Sequence, residues 1–145
     1  MLRFESLGLM EAEKAIAGGI GAARALGKAM AFAVADHTGE MIATARMDGA
    51  HPRILRHSVR KAYTASVMCR HTLAFKRDLA EREGALDQWG DAKLTTLPGG
   101  LAVELNGKYV GAVGAGGGGP DDEAVARAMV KAMGFEIVED TRTRA

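Results

Sequence analysis

A chain of 145 residues, 48% apolar and 26% charged, is long enough for one domain with its own core and ordinary in composition for a soluble protein. Its net charge of +1 creates no strong field for nucleic acid or a membrane surface, and no apolar run approaches the roughly 20 residues a spanning helix needs. A single cysteine, Cys69, excludes a disulfide framework within the chain.

Met1 to Ser6 lacks the basic and then apolar pattern of a secretory signal, so the expected location is the cytoplasm. Ser6 is expected to cap a helix running to about Leu26, stopped by Gly27. Leu9, Ala12, Ile16, Ile20 and Ala23 recur at the three- and four-residue steps of an amphipathic helix. Residues 30–36 and 41–47 read as strands joined by the turn His37–Glu40, in which Gly39 can take positive φ. Pro52 suits the first turn of a helix to about Arg70. On that helix Leu55, Ser58, Val59, Ala62, Ala65, Ser66 and Cys69 share one mostly small face, with Cys69 expected as a core thiol, and Arg53, Arg56 and Arg60 lie opposite. His57, Lys61 and Thr64 form a polar stripe beside the buried face. Thr72 starts another helix to about Glu83, and residues 84–98 read as a loop anchored by Trp89. Residues 101–105 and 108–115 flank Asn106-Gly107, the preferred pair for a type I′ hairpin. A last helix runs from Pro120 or Asp121 to about Met133, followed by a polar tail from Glu139. Two hairpins with helices around them predict an α+β fold, a central antiparallel sheet flanked by helices, in a single domain over 1–145.

Residues 108–123 hold six glycines, and Gly114-x-Gly116-x-x-Gly119 matches the dinucleotide fingerprint between a strand and a helix. Phe135–Val138 could serve as the next strand, with Glu139 or Asp140 where a ribose-binding acid falls. Three features argue against that site. One such unit at the end of the chain leaves no room for further parallel strands, the preceding strand belongs to an antiparallel hairpin, and Asp121, Asp122 and Glu123 would repel a pyrophosphate. No Gly-Lys-Ser/Thr follows, which excludes a P-loop. The loop reads instead as a side-chain-free wall of a small pocket, at a subunit boundary in an oligomer.

Val34-Ala-Asp36-His-Thr-Gly39-Glu-Met41, Arg46-Met-Asp-Gly-Ala50, Lys61-Ala-Tyr-Thr-Ala65, Pro98-Gly-Gly100 and Val110-Gly-Ala-Val-Gly114 resemble, in this order, the GlcG/HbpS-like family of small haem-degrading domains. That family is related to the C-terminal domain of some corrinoid adenosyltransferases. The likeness covers about residues 5–134 and implies the same α+β fold, haem as a ligand and a homo-oligomer, from a dimer up to an octamer. The family's serine in the last glycine loop is missing, since Ala115 is followed by Gly116–Gly119, so a contact there must come from backbone amides.

The candidate chemistry carries two readings at each residue. Arg46 and Asp48 either brace the hairpin end, or Arg46 holds a carboxylate through its planar fork. Lys61 is either a solvated lysine or a partly desolvated acid–base group that the resemblance favours. His37, His51, His57 and His71 show no zinc spacing, and each is either a satisfied residue or a haem ligand. The arginine stripe is either a solvated or interface face, or attracts a haem propionate or another carboxylate. The site expected from all of this uses Lys61 and Arg46 as catalytic residues. Asp48, His57, Thr64, Gly99, Gly100, Gly116 and Gly117 contact the ligand, and no metal site is expected. Two functions follow from different classes: haem binding or processing, and an isomerase or tautomerase acting on an organic acid. A non-catalytic module is the third. Only 5% of residues are aromatic, few for covering a porphyrin.

Overall fold

The computed structural model describes residues 1–139. These form α1 (Leu9–Ala25), β1 (Ala31–Asp36), β2 (Met41–Arg46), α2 (Pro52–Met68), α3 (Thr72–Glu81), β3 (Gly100–Leu105), β4 (Lys108–Gly116) and α4 (Asp122–Ala132), with single 3-10 turns at Leu86–Trp89 and Gly119–Asp121. The four strands make one antiparallel sheet in the order β2-β1-β4-β3, so each predicted hairpin is present and the two join through β1 and β4. This is the α+β architecture that the sequence predicts. Among the described residues no helix is long and apolar enough to cross a membrane.

The strand alternation sorts large from small residues. Phe32 and Val34 of β1, with Val110, Val113 and Ala115 of β4, face a core completed by Ala12, Ala15 and Ala23 of α1 and Val125, Met129 and Val130 of α4. The opposite face is nearly smooth. It presents Ala33 and Ala35 of β1, which pack with Ala62 of α2, beside Gly114 and Gly116 of β4. A β-carbon on Gly114 would collide with the Ser58 carbonyl of α2, and one on Gly100 would lie 2.5 Å from the Lys61 carbonyl. The small face therefore lets the backbone of α2 sit directly on the sheet. Ser58 and Ser66 pin it there, with their hydroxyls 2.9 Å from the Ala31 carbonyl and 2.6 Å from the Asp36 carbonyl.

The β3 edge is covered. Thr72 Oγ1 accepts from Gly100 N–H at 3.0 Å and His71 Nδ1 accepts from Ala102 N–H at 3.1 Å, so the start of α3 completes the hydrogen bonds that a neighbouring strand would supply. Asn106 and Gly107 both have positive φ, +51° and +79°, as a type I′ turn requires.

Three local expectations change. Ser6 does not cap α1; its hydroxyl accepts from His37 N–H at 3.1 Å and lies 3.4 Å from the Val110 carbonyl. Gly8 holds the cap position instead, and Glu11 reaches back to accept from its N–H at 3.2 Å. Phe135–Val138 forms no strand; Phe135 and Ile137 pack on the core. Cys69 is half-buried at the left-handed C-cap of α2, with φ +52°, and does not join the core. Asp140 and the tail beyond it lie outside the described residues.

Candidate functional site

Seating α2 on the smooth face leaves a cleft of about 640 Å³ between its N-terminal half and the two glycine loops. Ile54, Leu73, Leu97, Pro98 and Pro120 give it apolar walls, Lys61, Asp122 and Glu123 give it charge, and His57 gives it an imidazole. A concave, mostly apolar site of this size with a few converging polar groups is the usual form of a small-ligand pocket.

Lys61 is 3% exposed, inside the packed face of α2 and not on its border. The small residues of the sheet leave room for its stem, and its ammonium donates at 2.8 Å both to the Ala115 carbonyl and to Asp122 Oδ2. Asp122 Oδ1 accepts from Gly118 N–H at 2.7 Å. One carboxylate thus ties α2, the end of β4 and the loop opening α4 together. Beside it, Lys28 donates to Asp121 at 2.6 Å and to the Gly118 carbonyl at 2.8 Å. Asp121 and Asp122 are therefore matched by lysines and Glu123 by Arg127 at 3.7 Å, and both polar groups of Gly118 are engaged within the protein.

Gly99 has φ +115°, and a β-carbon there would lie 2.6 Å from the Ala115 carbonyl, 2.9 Å from Asp122 Cβ and 3.2 Å from Lys61 Nζ. Only glycine lets the Pro98–Gly100 loop press against the ion pair. Gly100 and Gly116 back against Lys61 and Ser58 of α2, and Gly117 lines the cleft against Ile54. Thr64 is fully buried below the cleft, where its hydroxyl accepts from Thr95 N–H at 3.0 Å and steadies the chain leading into Leu97 and Pro98.

His57 reaches the cleft wall half-buried, and its imidazole has no hydrogen bond or ion pair to any described residue. The other histidines are placed differently. His71 is used by Ala102 and by the Val138 carbonyl, His51 caps α2, and His37 stacks on Phe4. Arg46 and Asp48 are exposed and line no part of this cleft; Arg46 stands opposite Ala31 at the end of edge strand β2. Neither enters an ion pair among the described residues.

Asp122 and Glu123 are the charged cleft residues that the sequence does not assign to the site, and the apolar walls are likewise unassigned. In the sequence the two acids stand only as charges that would repel a phosphate. The clue was present in Lys61 itself: a lysine beside a buried helix face needs a carboxylate, and the acids after the glycine loop are the nearest supply once β4 lies under α2. Among the described residues no group of three or more His, Cys, Asp or Glu side chains is placed to hold a metal ion.

Comparison with known proteins places this geometry. The chain is 37% identical over 91 residues to an uncharacterized 15.0 kDa protein from the dhaT-dhaS intergenic region of Citrobacter freundii, a match spanning 60% of this chain and 63% of that protein. The crystal structure of Klebsiella pneumoniae protein ORFY shares the fold with a TM-score of 0.85 at 23% identity, covering 92% of this chain and 94% of that one. A double mutant of Streptomyces reticuli HbpS matches with a TM-score of 0.82 at 30% identity over 90% of this chain and 89% of that one. The PduOC:heme complex also shares the fold, with a TM-score of 0.82 at 22% identity over 92% and 99% of the two chains. The family model described as haem degrading protein HbpS-like matches residues 7–131, and the chain belongs to the HbpS-like family.

Proposed function

We propose that the cleft between α2 and the glycine loops binds haem, with His57 as the protein ligand facing the iron. The observation that carries this reading is the unpartnered imidazole of His57 in a cleft whose walls include Ile54, Leu73, Leu97, Pro98 and Pro120. Histidine is the commonest protein ligand of haem iron, and a free imidazole nitrogen needs no rearrangement to serve. Ile54, Leu73, Leu97, Pro98 and Pro120 offer the apolar contact that a macrocycle needs in a chain with few aromatic residues. Family membership and the heme held by a protein of the same fold support the same ligand. Bound haem would supply an iron centre able to change oxidation state and to take a further small ligand. The chain's own residues shape the site: the Lys61–Asp122 pair ties the glycine loop to α2, and Gly117 and Gly119 line the cleft without side chains.

Titrating hemin into the protein and recording the Soret band tests the reading. Saturation at one hemin per chain is expected, and featureless, non-saturating uptake would overturn it.

One observation favours a second reading, an isomerase or tautomerase acting on an organic acid. Lys61 lines the cleft and engages two of its three ammonium protons, leaving one for a substrate carboxylate. Arg46 lies outside the cleft, so Lys61 would hold the acid alone. Thermal stabilisation by small hydroxy- or keto-acids, lost in Lys61→Met, separates this from haem binding. A cytoplasmic homo-oligomer, from a dimer up to an octamer, belongs to the same proposal, and light scattering of the purified protein measures its size.

A further inference from the structure

The opposite flank of α2 borders a second cleft, of about 480 Å³, between the helix and edge strand β2. Its floor is apolar: Met41, Leu55, Val59 and the ring of Tyr63. Its rim is cationic, with Arg56, Arg60 and Lys93 set against one carboxylate, Glu40. The structure divides the arginine stripe, since Arg53 lines neither cleft while Arg56 and Arg60 turn to this one. None of the three rim cations forms an ion pair among the described residues.

The groups around the floor are held in place. Tyr63 donates its hydroxyl to Asp91 at 2.5 Å, and this bond to a carboxylate holds the phenol above its ordinary pKa, so it stays neutral. Lys93 sits 5.3 Å above the centre of the Tyr63 ring, and Arg60 donates to the Ala92 carbonyl at 2.9 Å. A guanidinium with four N–H donors left, a second free guanidinium and an ammonium therefore ring an apolar hole.

From this charge and shape we propose a second ligand site, on the β2 flank of α2, for a small aromatic carboxylate. An anion is favoured because three cations line the apolar floor against Glu40, while the one other nearby acid, Asp91, already accepts from the Tyr63 hydroxyl. A carboxylate matches the planar fork of arginine. An aromatic body is favoured over an acyl chain because guanidinium, ammonium and the Met41 thioether all interact favourably with a π-face or its edge. The volume falls within the range of small-molecule pockets and suits one or two fused rings. This site is separate from the His57 cleft, which opens on the other side of the same helix.

Calorimetric titration with 2-naphthoate, and with 2-naphthamide as its neutral isostere, tests the proposal on the purified protein. Saturation at one naphthoate per chain is expected, with an affinity that falls as salt is raised and with the amide roughly tenfold weaker. Reversing the exposed rim with Arg56→Glu and Lys93→Glu together weakens naphthoate by roughly tenfold or more. Val59→Trp, which fills the floor, abolishes it, and both variants retain hemin uptake. Should Val59→Trp fail to fold, the surface reversal still decides the matter. Three results would overturn the proposal: no saturable binding, equal binding of acid and amide, or naphthoate lost in His57→Ala but kept in the rim variant. Self-association that the rim variant abolishes, with no naphthoate bound, would also overturn it and give the groove to a second copy of this chain.

Discussion

Lys61 and Asp122 are 61 residues apart in sequence and meet at 2.8 Å beneath the glycine loops. Both are largely buried, with side chains 4% and 12% exposed. The pair joins the helix that lies on the sheet to the first turn of the last helix. Removing one partner leaves the other charged and desolvated. Lys61→Met is expected to destabilise the fold by about 3 kcal/mol, the lower part of the range for breaking a buried pair, because Asp122 retains the Gly118 amide. Lys61→Met combined with Asp122→Leu is expected to cost less than the two single changes summed, by at least about 1 kcal/mol. Urea unfolding midpoints of the four proteins measure this coupling, and strict additivity would show that the pair does not act as a unit.

The smooth face under α2 makes a sharper steric prediction. Gly114 faces the Ser58 carbonyl with the Ala62 nitrogen 2.8 Å from where a β-carbon would stand, and both are backbone atoms that cannot swing aside. Gly114→Ala is therefore expected to lower stability by about 3 kcal/mol or more, the upper range for overpacking. Gly21→Ala, with nothing within 4 Å of the added carbon and in the middle of α1, is expected to raise stability by up to about 1 kcal/mol. Thermal melts of the two variants should move in opposite directions.

Acid sensitivity is expected to involve Asp36 at the β1–β2 turn. Burial on its own would raise this carboxyl, but the hydroxyl and N–H of Thr38 and the N–H of Glu40 outweigh burial and hold it below its ordinary value. A group depressed in the folded state stabilises the fold above its unfolded pKa and loses that contribution as pH falls through its folded value. Stability should therefore drop below about pH 4, the unfolded aspartate range, and Asp36→Asn should shallow that drop while keeping an oxygen acceptor for the turn. Urea midpoints at pH 6 and pH 3 check it. An identical pH dependence in both proteins would remove Asp36 from the account.

Much of this fold is written locally. Asn106-Gly107 and Gly39 mark the two hairpins, Pro52 marks the start of α2, and the small residues of that helix announce a close approach to a sheet. The order of the hairpins is not written locally, because β1–β4 pairing depends on which faces α1, α2 and α4 cover. The site divides the same way. His57, Lys61 and the glycines stand out by residue type and spacing, but Asp122 becomes the partner of Lys61 only after β4 has been laid under α2. Ser6 looks like a cap in the sequence because a serine before a helix carries the same local sign whether it bonds its own helix or, as here, the β1–β2 turn. Arg46 and Asp48 carry a distinctive motif, yet their place at an exposed strand end keeps them out of the cleft.

The central claim is that His57 presents a free imidazole to a ligand in the cleft. Hemin titration of the unaltered protein and of His57→Ala, followed through the Soret region, tests it most directly. The account predicts one hemin per chain with a shifted Soret band, and in His57→Ala an affinity at least about tenfold weaker together with loss of that shift. A His57→Ala protein that takes up hemin with the same affinity and the same spectrum would contradict it.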